Sequence, residues 1–322
     1  MTLIGYHASH EQFSPSQLLQ LVIAAEQAGF DCAKSSDHFH PWSEKQGQSG
    51  FAWSWLGAAM QATSLGFGII SAPGYRYHPA VLAQAAATIG EMFPSRLWLS
   101  LGSGEAINEA ITGLPWPEKA ERNARLRECV DIVRALLAGE TVTHRGRVTV
   151  VEAKLYSRPA TPIPLFGAAI TEATAAFCGE WADGLLTVGG DIAQVRRVVD
   201  AFRAHGGDGK PVHIQHALSW ASDDETAVAL ALDQWAPAAL GGDAAWDLRR
   251  PRDFDRVGHL VDERHIRECV AVSADIGRLG GWLEDLMTLK PAAIHLHCVG
   301  RNQREFIDMA GERLIPGLGA SR

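Results

Sequence analysis

The run Ser35-Ser36-Asp37-His38-Phe39-His40-Pro41-Trp42 places a carboxylate, two imidazoles and an indole within reach of one ligand. An Asp beside a His can orient the ring and tune its proton affinity, which suits acid–base work on a hydroxyl. The indole of Trp42 can cover or stack on a flat ligand, and His40 can touch a substrate. A second run, Gly102-Ser103-Gly104-Glu105-Ala106-Ile107-Asn108-Glu109, sets Glu105 at a helix start behind two glycines. Two roles stand open there. Glu105 either serves the helix field or points into a cleft as an acid/base, with Gly104 making room for a ligand. The run is not a P-loop, because it lacks the Gly-Lys-Ser/Thr ending, nor a full G-x-G-x-x-G fingerprint.

Two further stretches carry groups suited to a ligand. Ile70-Ser71-Ala72-Pro73-Gly74-Tyr75-Arg76-Tyr77-His78-Pro79 offers aromatic, basic and imidazole groups, Tyr75 among them, to a ring system bearing anionic groups. Phe166-Gly167-Ala168-Ala169-Ile170-Thr171 offers small residues at a helix entrance. Backbone N–H groups can meet a phosphate there, though helix-to-strand packing demands small residues too. The pairs His38-x-His40 and His295-x-His297 raise a metal reading. Side chains two apart share a face only inside a strand, and His38 and His40 lie beyond one. An organic cofactor is therefore the expectation, with no metal site.

The elements that must position these residues alternate along the chain. Short apolar runs near 3–7, 31–35, 66–71, 96–101, 163–167, 183–187, 212–219 and 292–298 read as strands. Amphipathic stretches near 15–28, 51–64, 79–91, 119–138, 170–180, 191–205, 262–287 and 302–312 read as helices. Ser14-Pro15 before the first helix and Gly29 after it are ordinary start and stop signals. Eight such units favour an α/β fold of the (β/α)₈ TIM-barrel type over an open doubly wound sheet, with the ligand site at the carboxyl ends of the strands. A single domain over 1–322 is expected, with insertions at about 139–162 (a small hairpin and a loop) and 236–262. The second insertion contains Trp246 and suits a cover over a substrate pocket.

Composition narrows the class. Lys+Arg 29 against Asp+Glu 37 gives 29 − 37 = −8, which argues against a dedicated nucleic-acid surface. The five cysteines stand far apart and form no C-x-x-C pair, so buried free thiols in a reducing compartment are expected. No apolar run reaches the roughly 20 residues of a membrane span. A soluble cytoplasmic protein is expected.

The three motifs at 36–42, 76–79 and 102–109 keep an order and spacing that resemble the luciferase-like flavin/deazaflavin oxidoreductase superfamily. They are most similar to the branch that contains the deazaflavin-dependent glucose-6-phosphate dehydrogenases and an FMN-using offshoot. The resemblance runs from residue 3 to about 190. It implies a barrel, usually a homodimer, that binds FMN or coenzyme F420 in the strand-end cleft. It also implies a catalytic role for His38, Trp42 and Glu105, and cofactor contacts from Asp37, Ser71, Ala72, Gly104, Gly167, Ala168 and Ala169. His40, Tyr75 and Trp246 would face the substrate. A non-prolyl cis peptide would fall at Ser71–Ala72, and the cofactor phosphate near 167–171 and the loop after strand six. The implied activity is hydride transfer between an organic substrate and the ring. The alternatives are an FMN-dependent monooxygenase or a flavin-binding protein without turnover. One departure stands out: Gly189-Gly190-Asp191 lacks the lysine that holds a sugar phosphate in the dehydrogenases.

Overall fold

The computed structural model describes residues 1–240 and 243–319. In chain order the strands are β1 (Leu3–Ala8), β2 (Cys32–Ser35), β3 (Gly66–Ser71), β4 (Leu97–Leu101), β5 (Val142–Arg145), β6 (Thr149–Ala153), β7 (Leu165–Ala168), β8 (Gly184–Gly189), β9 (Val212–Ser219), β10 (Ala271–Val272) and β11 (Ala293–Cys298). The main helices are α1 (Pro15–Gln27), α2 (Ala52–Ala62), α3 (Pro79–Met92), α4 (Ala106–Glu109), α5 (Lys119–Ala138), α6 (Glu172–Gly179), α7 (Ile192–Phe202), α8 (Asp224–Trp235), α9 (Pro251–Gly258), α10 (Glu263–Cys269), α11 (Ile276–Met287) and α12 (Gln303–Met309).

Local chemistry starts these helices where the sequence predicts. Ser14 caps α1 in a capping box with Gln17, and Pro15 holds the first helical position. His78 accepts from the Ala80 N–H at the start of α3, again followed by a proline. Parallel pairing runs β11-β1-β2-β3-β4-β7-β8-β9 and returns from β9 to β11, so the sheet closes into the expected barrel. Outward side chains such as Ile4, Tyr6, Phe67, Ile69, Leu99 and Leu165 are buried against the helices.

The registers also assign the barrel interior. Successive inward layers, taken from alternate strands, hold Cys32, Trp98, Gly184 and Ala293, and then Gly5, Gly68, Phe166 and His213. Above these lie Lys34, Ser100, Leu186 and His295, and then His7, Ile70, Ala168 and Gln215. The lower layers form an aromatic–imidazole floor: the Trp98 ring lies 4.9 Å from Phe166 and 4.6 Å from His213, centre to centre. Glycines make that floor possible. A Cβ on Gly68 would run into the Trp98 indole, and one on Gly184 would meet the Phe166 ring.

Some expectations need correcting. The expected helix 262–287 is two helices, α10 and α11, broken by β10. Val272 pairs beside Ser219 in the sheet, and Asp275 opens α11 by accepting from the Gly277 and Arg278 N–H groups. Helix α8 was not anticipated; Asp223 caps it through the Thr226 N–H. The Ser71–Ala72 peptide is trans, like every described peptide bond. Its backbone is satisfied in that form, because the Gly102 N–H donates to the Ser71 carbonyl, and trans is the low-energy state for a non-prolyl bond. The insertion at 139–162 does form a hairpin, β5–β6, fastened to α5 by Glu128 through His144 and Arg147.

The floor generates a stability test. Gly68→Ala drives a methyl into the Trp98 ring and is expected to cost about 1–3 kcal/mol, the usual scale for overpacking. Adding Trp98→Phe should recover part of that loss in urea unfolding; strict additivity would show that the two residues do not press on each other.

Candidate active site

The loop after β2 and the loop after β4 meet at the strand-end mouth of the barrel. His38 stands between two carboxylates: its Nε2 lies 3.6 Å from Glu11 Oε1 and 3.8 Å from Glu105 Oε2. Its Nδ1 is buried and has no hydrogen-bond partner. Glu11 was not singled out from the sequence. It follows β1, is 3% exposed, and accepts from the Ser9 and Ser36 hydroxyls at 2.8 and 2.9 Å. Burial opposes its ionisation, but His38 and these hydrogen bonds outweigh that and hold its carboxyl below the ordinary value.

Glu105 turns its side chain toward His38 rather than to its own helix start. It occupies the N-cap position of α4, yet its side chain caps nothing. Its carboxylate faces His38 instead and accepts from Asn108 Nδ2 at 3.2 Å, with 26% of the side chain open to solvent. Burial raises its carboxyl above the usual range, against the pull of His38. Asn108, also not singled out, holds the other loop as well: its Oδ1 accepts from the Phe39 N–H at 2.9 Å. His40 turns its Nδ1 to the Ile107 carbonyl at 2.8 Å.

Asp37 does not orient His38. Its side chain is fully buried and accepts from the Ser71 hydroxyl at 2.6 Å, the Tyr77 hydroxyl at 3.0 Å and Arg76 Nη1 at 3.2 Å. Arg76 also donates its backbone N–H to Glu109 at 2.8 Å. Burial, partly opposed by Arg76, pushes the Glu109 carboxyl up to about 7. This node fixes the ends of β2 and β3 and the loop that follows.

Aromatic groups wall the mouth. The Trp42 ring lies 5.2 Å from His38, 6.5 Å from Trp246 and 5.2 Å from Phe254. Ser43 donates to Asp255 at 2.5 Å, which brings the described part of the 236–262 insertion against the β2 loop. Tyr75 stacks near Trp116, centres 5.4 Å apart, and its buried hydroxyl has no partner. Gly104 has φ +81, and a Cβ there would crowd Glu109, Trp116 and Ala72. Gly167 faces outward, where a Cβ would strike Cys178, so helix packing accounts for it. Ala168 faces the barrel interior beside Leu186 in the register, and the buried Ala169 donates its N–H to the Leu186 carbonyl.

This mouth fits a flat, partly polar ring. Small residues (Ala72, Gly102, Gly104, Ala168) leave space, and His38 Nδ1, Tyr75 Oη, Ser100 Oγ and His297 Nε2 are buried polar atoms without partners. The two imidazole pairs behave differently. His295 and His297 share the barrel's inner face, while His38 and His40 diverge. No cluster of three or more His, Cys, Asp or Glu could hold a metal among the described residues.

Comparison with known proteins agrees with this geometry. The family described as luciferase-like monooxygenase matches residues 1–289. The F420-dependent glucose-6-phosphate dehydrogenase of Intrasporangium calvum is 34% identical over 99% of this chain and 99% of its own length. The enzyme of that name from Mycobacterium tuberculosis is 33% identical over 98% and 97%. Among solved structures, an F420-dependent secondary alcohol dehydrogenase in complex with an F420-acetone adduct superposes with TM-score 0.91 at 29% identity, covering 99% of each chain. The F420-dependent tetrahydromethanopterin reductase of Methanopyrus kandleri shares the fold, at TM-score 0.78 and 20% identity over 98% of this chain and 99% of its own.

One prediction follows from the Asp37 node. Asp37→Ala strands a guanidinium, a phenol and a hydroxyl, and should cost about 3–5 kcal/mol in urea unfolding. Asp37→Asn keeps part of the hydrogen bonding and should cost less; equal losses would mean that the charge alone matters. Fold, motif order and overall similarity converge: the chain belongs to the luciferase-like family and is an oxidoreductase of its flavin- and deazaflavin-dependent kind.

Proposed function

We propose that this chain is an alcohol–carbonyl oxidoreductase that uses coenzyme F420, or FMN in its place, on a small uncharged substrate. The observation that carries the reading is the His38 imidazole held between Glu11 and Glu105 at the mouth of the barrel. The cofactor, when bound, supplies the hydride acceptor that side chains lack. His38 takes the hydroxyl proton at Nε2, and the two carboxylates stabilise the imidazolium that forms. Glu105, with its raised affinity for a proton, serves a second transfer. Trp42 and Trp246 exclude water and press the substrate toward His38, with Tyr75 and His40 at the rim.

The cations near the mouth support an uncharged substrate. Arg76 is committed to Asp37, Arg122 lies over the Trp116 ring, and Arg125 donates to the Gly74 and Arg147 carbonyls. None of these three is left to grip a sugar phosphate. The secondary alcohol dehydrogenase, whose complex holds an F420-acetone adduct, points to the same substrate class. The cofactor phosphate is assigned to the backbone between Ala169 and Thr171 and to the loop at 189–191. We read residues 1–322 as one domain whose insertions serve the same cleft, and the working form as a cytoplasmic homodimer. All five cysteines are free, which suits a reducing compartment, and no described helix is long and apolar enough to cross a membrane.

Separate titrations with F420 and FMN, followed by a panel of secondary alcohols and glucose 6-phosphate, test the reading. F420 binding with turnover of neutral alcohols is the expected result. Binding of neither cofactor, or efficient turnover of the sugar phosphate alone, would overturn it. Within the active enzyme, His38→Ala should lower turnover by about 10²–10⁴ while cofactor affinity holds. Glu105→Gln keeps shape but cannot exchange the proton, so its turnover should fall too; an unchanged rate would leave Glu105 without a catalytic role.

A further inference from the structure

Lys34 is a lysine inside the barrel. It is 1% exposed, faces inward from β2, and makes no hydrogen bond or ion pair among the described residues. Burying an ammonium without a partner costs several kcal/mol, so a fold that keeps one calls for a compensating negative charge. The groups around it supply little. His7 on β1 and His295 and His297 on β11 are all pushed toward the neutral form, chiefly by burial, with Lys34 adding to the effect. Ser100 and Gln215 are uncharged. Glu11 is the anion that acts on the Lys34 ammonium, and it is already engaged by Ser9, Ser36 and His38.

We propose that Lys34 is a fixed counter-charge beneath the cofactor ring, so that the pocket binds the reduced ring more tightly than the oxidised one. This rests on the functional reading above. Oxidising an alcohol sends two electrons and one proton to the ring as hydride, and the hydroxyl proton to the protein. The two electrons leave negative charge on the ring's pyrimidine edge, the edge rich in carbonyl oxygens and nitrogens. The interior offers that edge its matching donors: Lys34, and the unpaired Ser100 Oγ and His7 Nδ1 in the same and the next layer. A positive charge held by rigid strands needs no rearrangement to meet it. Burial, opposed by Glu11, draws the Lys34 ammonium down to about 7. An arriving anion reverses that shift, and so couples tighter binding to uptake of a proton.

The test measures affinity for oxidised and for chemically reduced F420 and FMN, anaerobically, in the wild type, Lys34→Met and Lys34→Gln. Met removes the charge at similar length and relieves a buried cation, so it should fold with a raised melting temperature; Gln provides a second uncharged side chain. Oxidised cofactor should bind all three proteins alike. The preference for the reduced form should fall by about tenfold or more in both variants, equivalent to about 30 mV per tenfold in the bound two-electron couple. A merely structural lysine would weaken both forms equally, and an unchanged preference in either folded variant overturns the proposal. If the wild type binds neither cofactor in either form, the functional reading fails and this inference falls with it.

Discussion

A carboxylate with no access to solvent must be fully paired, and Asp37 satisfies that demand by gathering three separate pieces of chain. Ser71 brings the end of β3, and Arg76 and Tyr77 bring the loop behind it. The Ser71 carbonyl then receives the Gly102 N–H, which ties in the end of β4. His38 is the next residue after Asp37, and Glu105 is three beyond Gly102. The distance between imidazole and carboxylate therefore rests on this node and on Asn108, which donates to Glu105 and accepts from the Phe39 N–H. Cutting the node would loosen a strand end and misplace the imidazole and the carboxylate together, which is why the geometry and the stability of the mouth are one problem.

The barrel interior obeys a second constraint, that of volume. Large rings at Trp98 and Phe166 are accommodated because Gly68 and Gly184 face them, and Gly5 leaves space for the His295 ring. Higher up, the layers turn polar and small. The floor is thus a packed plug, and the mouth is a chamber lined by groups that need partners. One closed sheet serves both because its residues alternate: outward positions carry the aliphatic core, and inward positions are free to change character with height.

Much of this was legible in the sequence. The outward aliphatics of each strand, as in Leu97-Trp98-Leu99-Ser100-Leu101, marked every barrel strand to within a few residues, even where inward neighbours were His or Lys. His38, Trp42 and Glu105 stood out by type and by their place after strands two and four. Glu11 did not, because the partners that give it meaning, Ser36 and His38, lie far away in sequence. Asp37 sits beside His38 in sequence, but its carboxylate is taken up by Ser71, Arg76 and Tyr77, partners 34 to 40 residues away that adjacency alone does not reveal. The broken helix at 263–287 followed helical periodicity on both sides of a short ladder that only the neighbouring β9 could reveal.

The plug of Trp98, Phe166, His213 and His295 also decides the traffic of small molecules. A vessel stoppered at its amino end admits and discharges its contents through the strand-end opening where Trp42 and Trp246 stand. Whatever enters and whatever leaves then share one passage, so each departing molecule delays the next arrival.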